Sequence, residues 1–298
     1  MPTNQLNGIN LAQIAESTLD YMSYEFAPLN AITRDFSEDI AQQGESVTTR
    51  VPASVNAVDL SSGYTAQNSQ TTAKPINLDS FFGYVYGFSD AEVSKAGNFD
   101  WLKNIFMAPA LEAVQNKLMD SLGALITTST FSNTPITQAA NGFDADHVAD
   151  LSASLSNQKA PRSERALVLG SSYVSALHKD TAIVDASQYG DDRGIKNHAA
   201  MRVHGFDIYE YNDILANGTS YVGGYALHPS ALIMAARQPA TPSDPGLDVV
   251  NTLTPNGMPI QFRSWYDPDG GLYKVSLGVL YGVAVGNTNA LTIVKTQN

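Results

Sequence analysis

Asp144, Asp146, His147 and Asp150 form the one acidic–imidazole cluster in the sequence. On a helix, residues four apart share a face, so Asp146 and Asp150 could hold a hard cation between them. The same carboxylates also suit the first turn of a helix, where unpaired N–H groups and the dipole attract negative charge, and this is the simpler account. The five histidines, His147, His178, His198, His204 and His228, form neither His-x-x-His nor His-Glu-x-x-His, so zinc spacing is missing. Asp267-Pro-Asp-Gly270 opens like a calcium loop, but its twelfth position is Gly278, where a bidentate glutamate is required. It reads as a turn. A hydrolase would draw on Ser171 or Ser172, after Gly170, with one of the histidines. No Gly-x-Ser-x-Gly elbow frames them, and a helix cap explains the pair. Neither phosphate-cradling glycine pattern occurs. The expectation is no catalytic residue, no cofactor, and no metal site beyond the weak candidates Asp144, Asp146 and Asp150.

The elements that would position a site come from a chain of 298 residues, long enough for one large or two ordinary domains. Apolar residues make up 43%, which fits a real core. There is no cysteine, which removes disulfides and thiolate chemistry and weakly favours a reducing compartment. The formal charge is −12, and no Lys/Arg cluster interrupts it. Tight binding of nucleic acid needs a basic footprint, so direct DNA recognition is not expected, although DNA enclosed nearby is compatible. No apolar run approaches the ~18 residues of a membrane span. The first basic side chain is Arg34, so no secretory n-region is expected.

Leu11, Ile14, Ala15, Thr18, Met22 and Phe26 mark one stripe of an N-terminal helix ended by Pro28, and Asn30–Gln43 follows as a short segment. Leu111, Val114, Leu118, Leu122 and Leu125 recur at three- and four-residue spacing. They predict a spine helix over 100–127, with Pro109 either kinking it or lying in its first turn. From about 143 the pattern becomes mixed α/β. A helix carrying Val148, Leu151 and Leu155 is capped by Asp144 or Asp146, Ala166–Leu169 is a buried strand, and a Ser-capped helix holds Val174 and Leu177. Asp191–Ala200 reads as loop and helix, Phe206–Tyr211 and Ser220–Leu227 as strands, and Pro229–Ala236 as a short helix with Pro in its first turn. The Pro-rich stretch 238–246 suits a hinge. Met258–Tyr266 and Leu272–Val285 flank an Asp-Gly turn, and Ala290–Lys295 closes the chain as a strand.

Residues 46–88 read as strand without a core of their own: Ser46–Val51 alternates, 59–77 is polar, and Leu78–Phe88 is aromatic. Two limbs of ~15–20 residues would reach roughly 50–60 Å, beyond the diameter of a small domain. An isolated two-stranded ribbon is marginally stable in water. From these residues alone the stretch is either an ordinary hairpin folded over its own chain or an arm held by another surface.

Four stretches carry a family resemblance. They are Arg34-Asp-Phe-Ser-Glu-Asp-Ile40 leading to Gly44-Glu-Ser-Val-Thr48; Arg202-Val-His-Gly-Phe-Asp-Ile-Tyr209; Ala226-Leu-His-Pro-Ser-Ala-Leu232 with Arg237-Gln-Pro239; and Lys274-Val-Ser-Leu-Gly-Val-Leu-Tyr-Gly-Val283. In this order, over almost the whole chain, they resemble the major capsid proteins of tailed bacteriophages, whose Hong Kong 97-type shell fold is shared with encapsulins. The resemblance implies an α+β capsid fold with an N-terminal helical arm (1–45), an extended β-loop (46–90), a peripheral domain with a long spine helix (91–140 plus 245–298) and an axial α/β domain (141–244). It implies no enzyme. The function would be self-assembly as hexamers and pentamers into an icosahedral shell around double-stranded DNA, in a virion assembled in the host bacterial cytoplasm. An encapsulin-like compartment is the alternative within the fold, and a hydrolase in 141–244 the alternative outside it. The implied partners are further copies of the chain, a scaffolding protein and portal, and a decoration protein, with no sequence-specific DNA binding and no membrane. No long charged region precedes the arm, so the scaffold is expected to be a separate protein. Arg50, Tyr64, Lys74, Phe81, Tyr84 and Tyr86 are the expected intersubunit contacts, and crosslinking through Lys74 is not expected.

Overall fold

A computed structural model describes residues 27–41, 44–52, 61, 63, 71–96, 99–181, 183, 202–214, 222–241, 247–253 and 257–296. The helix expected over 11–26, Tyr64, most of the connection 53–70, the segment 191–200 and most of the hinge after Thr241 lie outside the described residues. In chain order, a 3-10 turn at Ala27–Ala31 leads into β1 (Thr33–Ala41), β2 (Ser46–Pro52), β3 (Thr71–Asn77) and β4 (Ser80–Ser89). Helices Asp90–Ala96 and Phe99–Gly123 come next, then β5 (Ile136–Thr137), helix Ala145–Asn157, β6 (Arg165–Leu169) and helix Ser171–Lys179. The remainder is β7 (Arg202–Val203), β8 (Phe206–Glu210), β9 (Val222–Leu227), β10 (Leu232–Pro239), β11 (Leu247–Leu253), β12 (Pro259–Asp267), β13 (Leu272–Val285) and β14 (Leu291–Lys295).

β13 organises the first sheet. Its residues 272–281 pair with β4, residues 272–278 with β12 and residues 280–285 with β10, all antiparallel. A strand has two edges, so β10 and β12 lie end to end along one of them and β4 takes the other. β1 adds to β10 in parallel, and β11 to β12. Val275, Leu277, Val279 and Tyr281 point to the helix Phe99–Gly123, which buries Leu111, Val114, Leu118 and Leu122. Ser121 Oγ and Tyr281 Oη lie 2.8 Å apart across this junction. The helix ends at Gly123, so Leu125 packs from the following turn, and Pro109 is inside the helix rather than in its first turn. An interior proline removes one backbone hydrogen bond, which the packed leucine stripe offsets.

The second sheet runs β5-β14-β9-β6-β8-β7. β6 is buried at every position because it lies between β8 and β9 with both faces covered. The helix Ala145–Asn157 sets Val148, Leu151 and Leu155 into the core shared by both sheets and the spine helix. Arg165 is buried at the end of that helix. Its Nε donates to Pro161 O, its Nη1 to Ser152 O and Oγ, and its Nη2 to Ser156 Oγ and Ala160 O. Among the described residues no helix is long and apolar enough to cross a membrane.

Several expectations change. Residues 33–41, read as part of a helical arm, form β1; Arg237 Nη1 and Nη2 reach Asp35 O at 2.6 Å and Asp35 Oδ1 at 2.9 Å, a contact no local pattern reveals. Pro229 begins only a 3-10 turn, and 232–236, read as helix, is strand. Leu232, Ile233, Met234, Ala235 and Ala236 are all buried between β1 and β13, and such a strand shows no alternation to distinguish it from a buried helix. The helix at Ser171 is not capped by its own serine: Gly170 is the N-cap, and Asn212 Oδ1 accepts from the Ser171 N–H at 2.9 Å. β10, within 141–244, belongs to the first sheet, while β14, within 245–298, belongs to the second.

Candidate assembly interface

β2 and β3 make a ribbon of their own, in register from Ser46↔Asn77 to Pro52↔Thr71, and pair with no other strand among the described residues. Ser46, Thr48, Ala73, Pro75 and Asn77 are exposed. The ribbon is shorter than the sequence suggested. Leu78–Phe88 is not its second limb, because β4 runs along β13. Nor is the root without a core: Ile76 and Leu78 are buried in a small cluster with Ala41, Ile233, Ala235 and Leu280. Gly44, at φ +92°, turns the chain from β1 into β2, and Gly44 N–H donates to Leu78 O at 2.9 Å while Leu78 N–H donates to Glu45 O at 2.8 Å. A Cβ on Gly282 would lie 2.1 Å from Asn77 O. Gly282→Ala is therefore expected to force the ribbon root off β13 and to cost about 1–3 kcal/mol, read from chemical unfolding.

The expected contact residues separate into two groups. The backbone of Arg50 lies in β2 opposite Ala73, and Lys74 lies in β3 opposite Thr49, both on the ribbon. The Arg50 side chain and all of Tyr64 lie outside the described residues. Phe81, Tyr84 and Tyr86 belong to β4, opposite Leu280, Leu277 and Val275. Alternation splits β4 across two faces. Phe82, Tyr84, Tyr86 and Phe88 face the spine helix, with Lys117 Nζ 4.8 Å from the Phe82 ring centre. Phe81, Gly83 and Val85 face the other way, over a groove of about 540 Å³ lined also by Arg263, Trp265, Ser276 and Gly278. Small residues at Gly83, Ser276 and Gly278 form its floor, and the Arg263 guanidinium lies 5.9 Å from the Phe81 ring centre. Phe82, Val85, Arg263 and Trp265 were not singled out from sequence. The signal was the alternation of β4, hidden because every position from 81 to 88 is aromatic, Val or Gly.

The residues considered for chemistry are elsewhere. Asp144 is the N-cap of the helix Ala145–Asn157: its Oδ1 accepts from the His147 N–H at 3.1 Å and lies 2.6 Å from His147 Nδ1. Asp146 and Asp150 are exposed on that helix, and among the described residues no group of three or more His, Cys, Asp or Glu could hold a metal. Asp267 Oδ2 takes a 2.7 Å hydrogen bond from Lys274 Nζ and Oδ1 one from the Gly270 N–H, so this carboxylate closes a turn, and the lysine holds its pKa below the usual value. The Ser171 hydroxyl is engaged by Asn212, and among the described residues no hydrogen bond joins Ser171 or Ser172 to a histidine.

Partial burial raises the Asp144 pKa, but hydrogen bonds from the His147 side chain and backbone outweigh it and leave the carboxyl below its ordinary value. A folded pKa below the unfolded one stabilises fully above the unfolded value and is lost as pH falls through the folded value. Asp144→Ala is expected to cost about 1 kcal/mol near neutrality. Asp144→Asn should keep most of the cap and remove its share of the acid sensitivity. Urea midpoints of the three proteins between neutral pH and about pH 3 check both statements.

No family model matches the sequence, and no curated protein matches it. Solved structures do. The capsid of cyanophage P-SCSP1u is 13% identical, with 90% of this chain and 87% of that chain covered at a TM-score of 0.59. The mature capsid of bacteriophage PhiM1 is 12% identical, covering 89% and 86% at 0.56, and the capsid of Ralstonia phage GP4 is 10% identical, covering 89% and 87% at 0.53. At these identities the likeness speaks for the fold, and it runs nearly from end to end. With two sheets on one core, a spine helix against the first and a ribbon projecting at its root, the chain has the Hong Kong 97-type capsid fold.

Proposed function

We propose that the chain is the major capsid protein of a tailed bacteriophage, a structural subunit that assembles as hexamers and pentamers into an icosahedral shell around double-stranded DNA. The observation that supports this most is the match to phage capsids over 89–90% of this chain and 86–87% of theirs. The ribbon of β2 and β3 is the strap laid on a neighbouring subunit, with Arg50, Tyr64 and Lys74 among its contacts. The first sheet with the spine helix is the peripheral domain, the second sheet is the axial domain around each capsomer's symmetry axis, and the residues before β1 form the N-terminal arm. Shells hold through many weak contacts that sum over neighbours, so no single face needs high affinity. A net charge of −12 suits a wall that contains DNA without condensing it. Its partners are further copies of itself, a scaffolding protein, a portal and a decoration protein, and its destination is the virion.

Electron microscopy of the protein, expressed alone and with a candidate scaffold, tests this reading. Closed shells or rings of five and six subunits are expected. A monodisperse monomer under every assembly condition would sink the proposal.

A further inference from the structure

Among the described residues β4 leaves one edge open. β13 occupies the other from Ser80 to Ser89 without a register shift, and β4 pairs with no further strand among the described residues. The other outer strands of this sheet are defended as edge strands usually are. β1 carries Arg34, Asp35 and Asp39 and shifts register between Phe36 and Ile40, and β11 presents the exposed Asp248. β4 has no charge, no proline and no bulge, and Phe81, Phe82, Tyr84 and Val85 are 42–55% exposed. A long, regular, apolar edge of this kind is an aggregation site unless something covers it.

The strand's own sequence names the occupant. Phe82-Gly-Tyr-Val-Tyr-Gly-Phe88 reads the same in both directions about Val85. We infer that β4 pairs with β4 of a second copy, antiparallel about a two-fold axis through Val85, so that two first sheets join edge to edge.

In a two-fold contact, if residue i meets j then j meets i, and a palindromic strand makes every such pair like with like. Val85 meets the partner subunit's Val85, Tyr84 meets the partner's Tyr86, Gly83 meets the partner's Gly87, and Phe82 meets the partner's Phe88. Aromatic cross-strand pairs stabilise a sheet, and like charges directly opposite one another destabilise it; no charged residue lies within the strand. The axis stands perpendicular to the sheet, so both spine helices lie on the same side of the joined sheets. Local two-folds of a closed shell run through its wall in the same way. The inference rests on the proposed shell only for where this contact is used.

Because the chain has no cysteine, Val85→Cys gives it a single thiol at the proposed axis. Cα atoms of directly opposed residues in an antiparallel pair are about 4.5–5.5 Å apart, within the range a disulfide spans. Mild oxidation of the full chain is expected to give a covalent dimer on a non-reducing gel, at least about tenfold more than Asp248→Cys on β11 gives. Val85→Lys alone and Val85→Glu alone should each lose the contact through like charges on the axis, and an equal mixture should regain it. Shells from the unsubstituted protein without a Val85→Cys dimer would overturn this inference and leave the shell standing. A dimer without shells would do the reverse. A Val85→Cys thiol closed to maleimide in the dissociated subunit would show that the chain covers its own edge, and a mixture that fails to regain contact would remove the axis from Val85; either result overturns the inference.

Discussion

Replacing residues 53–70 with an Asn-Gly turn that joins Pro52 to Thr71 is expected to leave a folded subunit that makes no closed shell. Pro52 and Thr71 are the last registered pair of the ribbon, so a two-residue loop can close it without shifting register. The root is untouched: Ile76 and Leu78 stay in their cluster with Ile233 and Leu280, and Gly44 keeps its hydrogen bond to Leu78. Shortening the loop lowers its closure entropy by about 2 kcal/mol, which opposes any loss of local contacts. Thermal unfolding should therefore move by a few degrees at most, while electron microscopy should find rings or free subunits in place of shells. Normal particles from this variant would show that the ribbon's reach has no part in assembly. Because the root packs on the subunit's own sheet, the variant keeps the ribbon with Arg50 and Lys74 and removes only the reach beyond Pro52.

Arg165→Met is expected to be the most destabilising single substitution, by about 3–5 kcal/mol. The guanidinium is buried with no carboxylate paired to it among the described residues, and five oxygens of the Ser152–Pro161 stretch accept from it. Two of these, Ala160 O and Pro161 O, are backbone carbonyls just beyond the end of the helix Ala145–Asn157, where the dipole favours a cation, and a third, Ser152 O, lies within that helix. Burial, with Arg162 nearby, lowers its pKa, which is the direction expected of a cation desolvated among neutral acceptors. Methionine fills similar space but takes away the donors to Ala160 O and Pro161 O in a dry site, while Ser152 O keeps the Ser156 hydroxyl. Arg165→Lys should recover only part of the loss, because an ammonium has three donors and no planar fork. The urea midpoint at constant slope measures both. Wild-type stability in Arg165→Met would mean that water satisfies these carbonyls, and that Arg165 does not hold the helix to β6.

Much of the fold was legible before the structure. The spacing of Leu111, Val114, Leu118 and Leu122 describes a helix with one buried face, and the structure buries that face. Asp144 before Val148, Leu151 and Leu155 marks a capped helix because a short acceptor side chain satisfies N–H groups that the helix leaves free. The turn between β12 and β13 follows from Asp-Gly chemistry between alternating runs. These are local matters, decided by neighbours within a turn or two.

What the sequence left open depends on partners far along the chain. Thr33–Ala41 is a strand because β10, some two hundred residues later, offers an edge and Arg237 binds Asp35. Leu232–Ala236 is apolar throughout, and burial on both faces erases the period that separates strand from helix. Leu78–Phe88 looked like arm because its aromatic run shows no alternation. The tertiary structure assigned it to an edge beside β13, with one face on the spine helix and the other over a groove. By itself the sequence determined the helix faces, the turns, the acidic charge and an order of motifs that resembles a capsid subunit. Only the tertiary structure decided where the ribbon leaves its core and which strand keeps an open edge, because both are set by long-range pairing that no local pattern encodes.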